Sequence, residues 1–82
     1  AKGIIFENND VKGGVQLINT SNAKFNNNTI NSSSSHGIQL KLNTFNVEIG
    51  NNTITIPANT NFQCIKNESS GQVNILASNS CN

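Results

Sequence analysis

Beside five dispersed lysines, four carboxylates, one histidine and two cysteines carry the acid–base, metal-ligating and thiol chemistry open to this chain of 82 residues. The acids are Glu7, Asp10, Glu48 and Glu68. Cleaving a glycosidic bond takes two carboxyl groups held about 5–9.5 Å apart. Glu7 and Glu48 both take outward positions of one recurring phrase, but about two repeats apart and at different offsets. Together with Asp10 and Glu68 they read as scattered, solvated acids. His36 stands alone in the run Ser32-Ser33-Ser34-Ser35-His36-Gly37. With no second ligand and no orienting acid beside it, it reads as an exposed loop residue rather than a metal ligand or a member of a triad. The chain therefore has no assigned catalytic, cofactor-binding or metal-binding residue, and no cofactor is expected.

Cys64 and Cys81 fall at positions that other repeats fill with Leu and Ile. Cysteine is a good small buried residue, and the two columns belong to different strands, so a bridge would have to cross the interior. Two buried thiols are the expectation. The alternative is a disulfide that clamps the last repeat. Sequons at Asn19, Asn27, Asn51 and Asn67 arise readily in so Asn- and Thr-rich a chain, and carry little weight.

The composition excludes several function classes. Only 11% of residues are charged, the net charge is +1, the five lysines are dispersed and arginine is absent, so there is no basic face for nucleic acid. No apolar run approaches the ~18 residues of a membrane-crossing helix, and no membrane insertion is expected. Asparagine makes up 18 of the 82 residues. A polar tract of that kind is often disordered, but disorder predicts no apolar periodicity, and this chain is strongly periodic.

One phrase recurs as Phe6-Glu7-Asn8-Asn9-Asp10-Val11, Phe25-Asn26-Asn27-Asn28-Thr29-Ile30 and Ile49-Gly50-Asn51-Asn52-Thr53-Ile54, with a looser copy from Ile75 to Cys81. A second recurs as Gly14-Val15-Gln16-Leu17, Gly37-Ile38-Gln39-Leu40 and Asn61-Phe62-Gln63-Cys64. Successive copies of the first phrase are offset by 19, 24 and 26 residues, and of the second by 23 and 24. Alternate apolar residues within each copy predict strands whose inward side chains stack in three columns. The first column is Ile4/Phe6, Ala23/Phe25, Val47/Ile49 and Val73/Ile75. The second is Val15/Leu17, Ile38/Leu40 and Phe62/Cys64, and the third is Val11, Ile30, Ile54 and Cys81. The Asn-Asn pairs between columns suit corners, because asparagine tolerates left-handed backbone. Stacked at about 4.8 Å, they could also bond one another as an amide ladder. Gln16, Gln39 and Gln63 should stack outside as a candidate glycan-facing row.

The pattern Gly-Ile-x-Leu, polar corner, then apolar-x-Asn-Asn-x-Ile, cleanest from Gly37 to Ile54, resembles the parallel β-helix repeats of the pectate-lyase-like superfamily. The resemblance runs from Ile4 to Cys81. It implies an all-β, right-handed parallel β-helix of three to four rungs of roughly 23–26 residues, with residues 1–82 forming one segment. The chain enters almost at once into the middle of a rung and offers no cap, so part of a longer solenoid, or one arm of a homotrimer, is expected. Closest in style are phage tailspikes and similar receptor-binding appendages. The leading expectation is a non-catalytic structural and binding segment of such an appendage, at the virion surface or outside the cell, meeting a cell-surface polysaccharide. One alternative is a terminal fragment of a secreted polysaccharide-degrading enzyme whose active site lies on upstream rungs. Another is a bacterial surface adhesin. Fold alone does not choose among them.

Overall fold

Val, Ile, Phe and Thr favour extended backbone, whereas Asn, Ser and Gly break helices and make corners, so a chain built of both can form only short strands and tight bends. The computed structural model describes residues 2–69 and 71–82, and they contain no helix. The strands are β1 (Ile5–Glu7), β2 (Asp10–Lys12), β3 (Val15–Leu17), β4 (Ser21–Asn26), β5 (Thr29–Asn31), β6 (Ile38–Leu40), β7 (Phe45–Gly50), β8 (Thr53–Thr55), β9 (Ile65–Asn67), β10 (Val73–Ile75) and β11 (Ser80–Cys81).

Every pairing is parallel, and each strand pairs with the strands three before and three after it. The first sheet is β1-β4-β7-β10, the second β2-β5-β8-β11 and the third β3-β6-β9. The chain thus visits three sheets in turn and adds one strand to each per circuit. This all-β arrangement is consistent with a short parallel β-helix.

The first and third apolar columns lie where the sequence places them. Phe6 pairs with Phe25, Phe25 with Ile49 and Ile49 with Ile75, while Val11, Ile30, Ile54 and Cys81 stack in the second sheet. With Ile38 and Leu40 of the third sheet, their inward side chains make the core: Phe25, Ile30, Ile38, Leu40, Val47, Ile49 and Ile54 are all buried, each favouring the fold by about 1.5–3 kcal/mol. Phe6 stacks on Phe25 with centroids 4.7 Å apart, carrying the aromatic pair across two circuits.

The Asn-Asn corners divide their labour. Asn8, Asn27 and Asn51 take φ of 56°, 56° and 55° and turn the chain outward, a conformation asparagine accepts at little cost. Their successors point inward and form the ladder. Asn9 Nδ2 donates to Asn28 Oδ1 at 3.1 Å, Asn28 Nδ2 to Asn52 Oδ1 at 3.0 Å, and Asn52 Nδ2 to Asn79 Oδ1 at 2.9 Å. Each Oδ1 also accepts the backbone N–H of the preceding Asn. The remaining amide hydrogen reaches a backbone carbonyl, Phe6 O from Asn28 and Phe25 O from Asn52. Asn28 and Asn52 are 1% exposed, yet no buried side-chain polar atom among the described residues lacks a partner. Burial at low local dielectric strengthens bonds of this kind once every member is satisfied.

Two expectations need correction. In the third sheet Ile38, Gln39 and Leu40 pair with Ile65, Lys66 and Asn67, not with Phe62, Gln63 and Cys64. The corner between β8 and β9 is longer than its predecessors and absorbs three extra residues. Phe62 instead meets His36 edge-on, with centroids 5.3 Å apart. The second correction follows from the first. Cys64 lies ahead of β9 at the level of Gly37, whose N–H donates to Gln63 O while Ile38 N–H donates to Cys64 O. A Cβ at Gly37 would sit 2.4 Å from Ile54 Cγ2 and 2.5 Å from Cys64 O, so only glycine lets these circuits approach. Ile54 is also the residue on which Cys81 stacks. The two cysteines are therefore neighbours, with Cα atoms 5.9 Å apart, and they form a disulfide rather than two buried thiols.

Candidate functional site

With the core filled and no acid inside it, chemistry has only the outer faces of the sheets. Glu7 lies level with Asn26 and Gly50, Glu48 with Lys24 and Asn74, and Asp10 in the second sheet beside Thr29. Glu68 follows β9. The acids are thus distributed over all three sides of the coil. Among the described residues, no group of three or more His, Cys, Asp or Glu could share a metal ion. His36 is half-buried, and its Nδ1 accepts the Gln63 backbone N–H at 2.9 Å, which gives the ring a structural task.

The third sheet carries the expected glutamine row in part. Gln16 and Gln39 are paired in register, and Gln16 Nε2 reaches Gln39 Oε1 at 3.5 Å. Gln63 is not in this row, and Lys66 takes its place. Gln39 Nε2 donates to Glu68 Oε1 at 2.6 Å. That bond outweighs the opposing effect of desolvation and, with lesser help from Lys66, Lys41 and His36, holds the exposed Glu68 carboxyl below its ordinary range. Such a carboxyl favours the folded chain at pH above its unfolded value, and the contribution fades as pH falls through the lowered folded value. Gln39→Ala is expected to move the Glu68 titration midpoint upward, read by NMR of the side-chain carboxyl. An unmoved midpoint would assign the lowering to the lysines instead.

The first sheet holds the deeper feature. Asn22 and Asn46 adopt φ of 54° and 55° inside β4 and β7, bending both strands at the same level. Beyond the bend lies an open cleft of about 700 Å³. One side carries Asn22, Asn46 and Gln72, the other Lys24, Glu48 and Asn74, and the floor is formed at Ala23, Val47 and Val73. Asn46 Nδ2 donates to Asn22 Oδ1, so the amide side is itself a short ladder. The side chains of Lys24, Glu48, Gln72 and Asn74 make no hydrogen bond to other described residues. Lys24, Glu48 and Asn74 lie directly over one another in register. Polar groups thus repeat along the cleft at the rung spacing of about 4.8 Å. The chain matches no family model, no curated protein and no solved structure.

The sequence reading did not single out this cleft. Its signal was present, because Asn22 and Asn46 are separated by 24 residues, the offset between the Phe25 and Ile49 copies. The same spacing joins Asn19 and Asn43, also left-handed, whose side chains bond at 2.9 Å.

Proposed function

We propose that the chain is a non-catalytic, glycan-binding β-helix segment of an extracellular or virion-surface appendage, right-handed and pectate-lyase-like in its coil. The observation that carries this reading is the cleft on the first sheet. It is long, open and lined by amide and charged groups that repeat at a spacing comparable with one sugar unit, and most of them are unengaged within the chain. A linear polysaccharide lying along the coil axis would meet an equivalent polar row at each rung. The dispersed acids argue against cleavage there, since no second carboxylate faces Glu48. The Cys64–Cys81 disulfide fits an oxidising location. Tailspike-style appendages are trimeric, and exposed Ile18 and Leu42 offer apolar surface for association around the long axis.

Two measurements test the proposal. Light scattering of the purified chain, with and without SDS, should give three times the 8.8 kDa protomer mass in both. Titration with purified neutral and acidic polysaccharides, followed by calorimetry or NMR, should show binding without chain shortening. Glu48→Gln and Asn74→Ala should each weaken it several-fold, while Gln16→Ala on the third sheet leaves it unchanged. Weakening by Gln16→Ala alone would place the ligand on the glutamine row. A monomer that binds no glycan would sink the proposal. Release of oligosaccharides would favour the enzyme-fragment reading.

A further inference from the structure

We infer that a second copy of this chain docks end to end on the first. The last circuit of one copy seats on the first circuit of the next, so that ladder, core and sheets run on between them. The inference goes beyond the glycan reading and does not depend on it.

The two ends of the coil are unlike, and they complement each other. Within the ladder, Asn9, Asn28 and Asn52 each send a backbone N–H and a side-chain N–H to the Oδ1 of the Asn one circuit on. That pattern breaks off at both ends. Asn9 Oδ1, whose equivalents all accept such a pair, accepts no bond from the described residues. Asn79 has the two donors and no following amide. Its backbone N–H and its Nδ2 both fall back on Leu76 O, at 3.4 and 2.7 Å. One end thus offers the acceptor and the other the donor pair, and a head-to-tail contact joins them. Two first circuits meeting face to face would set acceptor against acceptor.

The sheets and apolar columns end the same way. β1, β2 and β3 have one free edge each, as do β9, β10 and β11, and a free edge is a template for a further strand. At the first circuit an apolar recess of about 230 Å³ lies among Ile4, Phe6, Val15, Leu17 and Phe25, and Ile4 is 37% exposed. At the last, Ile75 ends its column and is 42% exposed. Carrying the register one circuit further sets Ile75 over Phe6, Cys81 over Val11 and Ile65 over Val15 of the second copy. On the outside it sets Ser80 over Asp10, Asn82 over Lys12 and Lys66 over Gln16, so no like charges meet. A joint between two different surfaces does not close when the copies follow one axis, and the stack stays open. It takes up the ends of the coil and leaves the sides to the cleft and to lateral association.

Sedimentation over a wide range of concentration tests the joint. The wild-type mass should climb without a plateau and fall back to the unstacked species on dilution. Ile4→Lys and Ile75→Lys each put a charge at one end and spare the buried core. Either alone should lower the stacking constant about a hundredfold, the effect of a lone charge closed into a joint. Their equimolar mixture should form a pair of twice the unstacked mass, because each variant keeps the end that the other has lost. In the wild type, amides of β1 and β10 should exchange more slowly as concentration rises, while those of β4 and β7 keep their rates. A wild-type mass and exchange pattern that ignore concentration overturn the inference. Stacking lost in Ile4→Lys but kept in Ile75→Lys overturns it too, because two like ends would then be meeting. So does a mixture that forms no pair although both variants melt as the wild type does. None of these outcomes bears on the glycan reading, which the polysaccharide titration decides.

Discussion

Asn52→Leu should lower the thermal midpoint by on the order of 20 °C, although Leu shares the branched outline of Asn at Cγ and is more apolar. Asn52 sits in the middle of the inward ladder at 1% exposure. Its Oδ1 accepts both the backbone and side-chain N–H of Asn28, at 2.9 and 3.0 Å, and its Nδ2 serves Phe25 O and Asn79 Oδ1. Replacing the amide strands two donors and a carbonyl where water does not reach. Each orphaned group costs about 1–3 kcal/mol, far more than the added apolar contact returns. The exposed neighbour Asn51 is the control. Asn51→Gly keeps its left-handed turn and should change stability by no more than about 0.5 kcal/mol. Melting curves of the two variants decide the matter. An Asn52→Leu chain as stable as Asn51→Gly would reduce the ladder to an accompaniment of apolar stacking.

Reduction of Cys64–Cys81, or the double change Cys64→Ser with Cys81→Ser, should cost about 3 kcal/mol for a closed loop of this length. The bridge joins residues 17 apart. What it holds is thin: β11 has two residues, attached by Ser80 N–H to Asn52 O and Asn82 N–H to Ile54 O. Loss should therefore be local before it is global. Amide exchange should accelerate first at Ser80, Asn82 and Ile56, whose N–H donates to Asn82 O. Amides of β4 and β5, two circuits away, should hold until the whole coil melts. Uniform acceleration across all three sheets would mean that the bridge supports the coil as a unit.

Much of this architecture is legible in the sequence because the inward pattern is redundant. Phe25 and Ile49 announce the first column twice over, through alternation within a strand and recurrence between circuits, and so do Ile30 and Ile54 in the second sheet. The third sheet lacks that redundancy at its last strand. Ile65-Lys66-Asn67 offers one apolar residue, whereas Phe62-Gln63-Cys64 imitates Ile38-Gln39-Leu40 in all three places. The imitation wins on pattern and loses on geometry, since Cys64 is drawn to Ile54 and its disulfide partner while the longer corner takes up the slack. The Asn-Asn phrase was readable as a ladder, but not the opposite roles of its two members, which depend on which residue turns left-handed. The cleft was hidden for a related reason. Asn22 and Asn46 look like ordinary polar residues in a polar chain, and only their coincident bends make a concave face from an outward strand.

The disulfide also has a mechanical meaning. Strands in this coil are held to one another along its axis by parallel hydrogen bonds, an arrangement that tension applied to one end would open one circuit at a time. A pull on Asn82 does not meet that sequence of small steps. Through Cys81 it passes directly to Cys64, leaving β9 and β10 outside the line of force, and it reaches the body of the coil beside buried Ile54. The last circuit is thereby shielded from peeling, and the load falls on the circuit of β7, β8 and β9, whose β8 is paired on both sides. Under tension the yielding point thus moves from the two-residue strand at the edge to the circuit inside it.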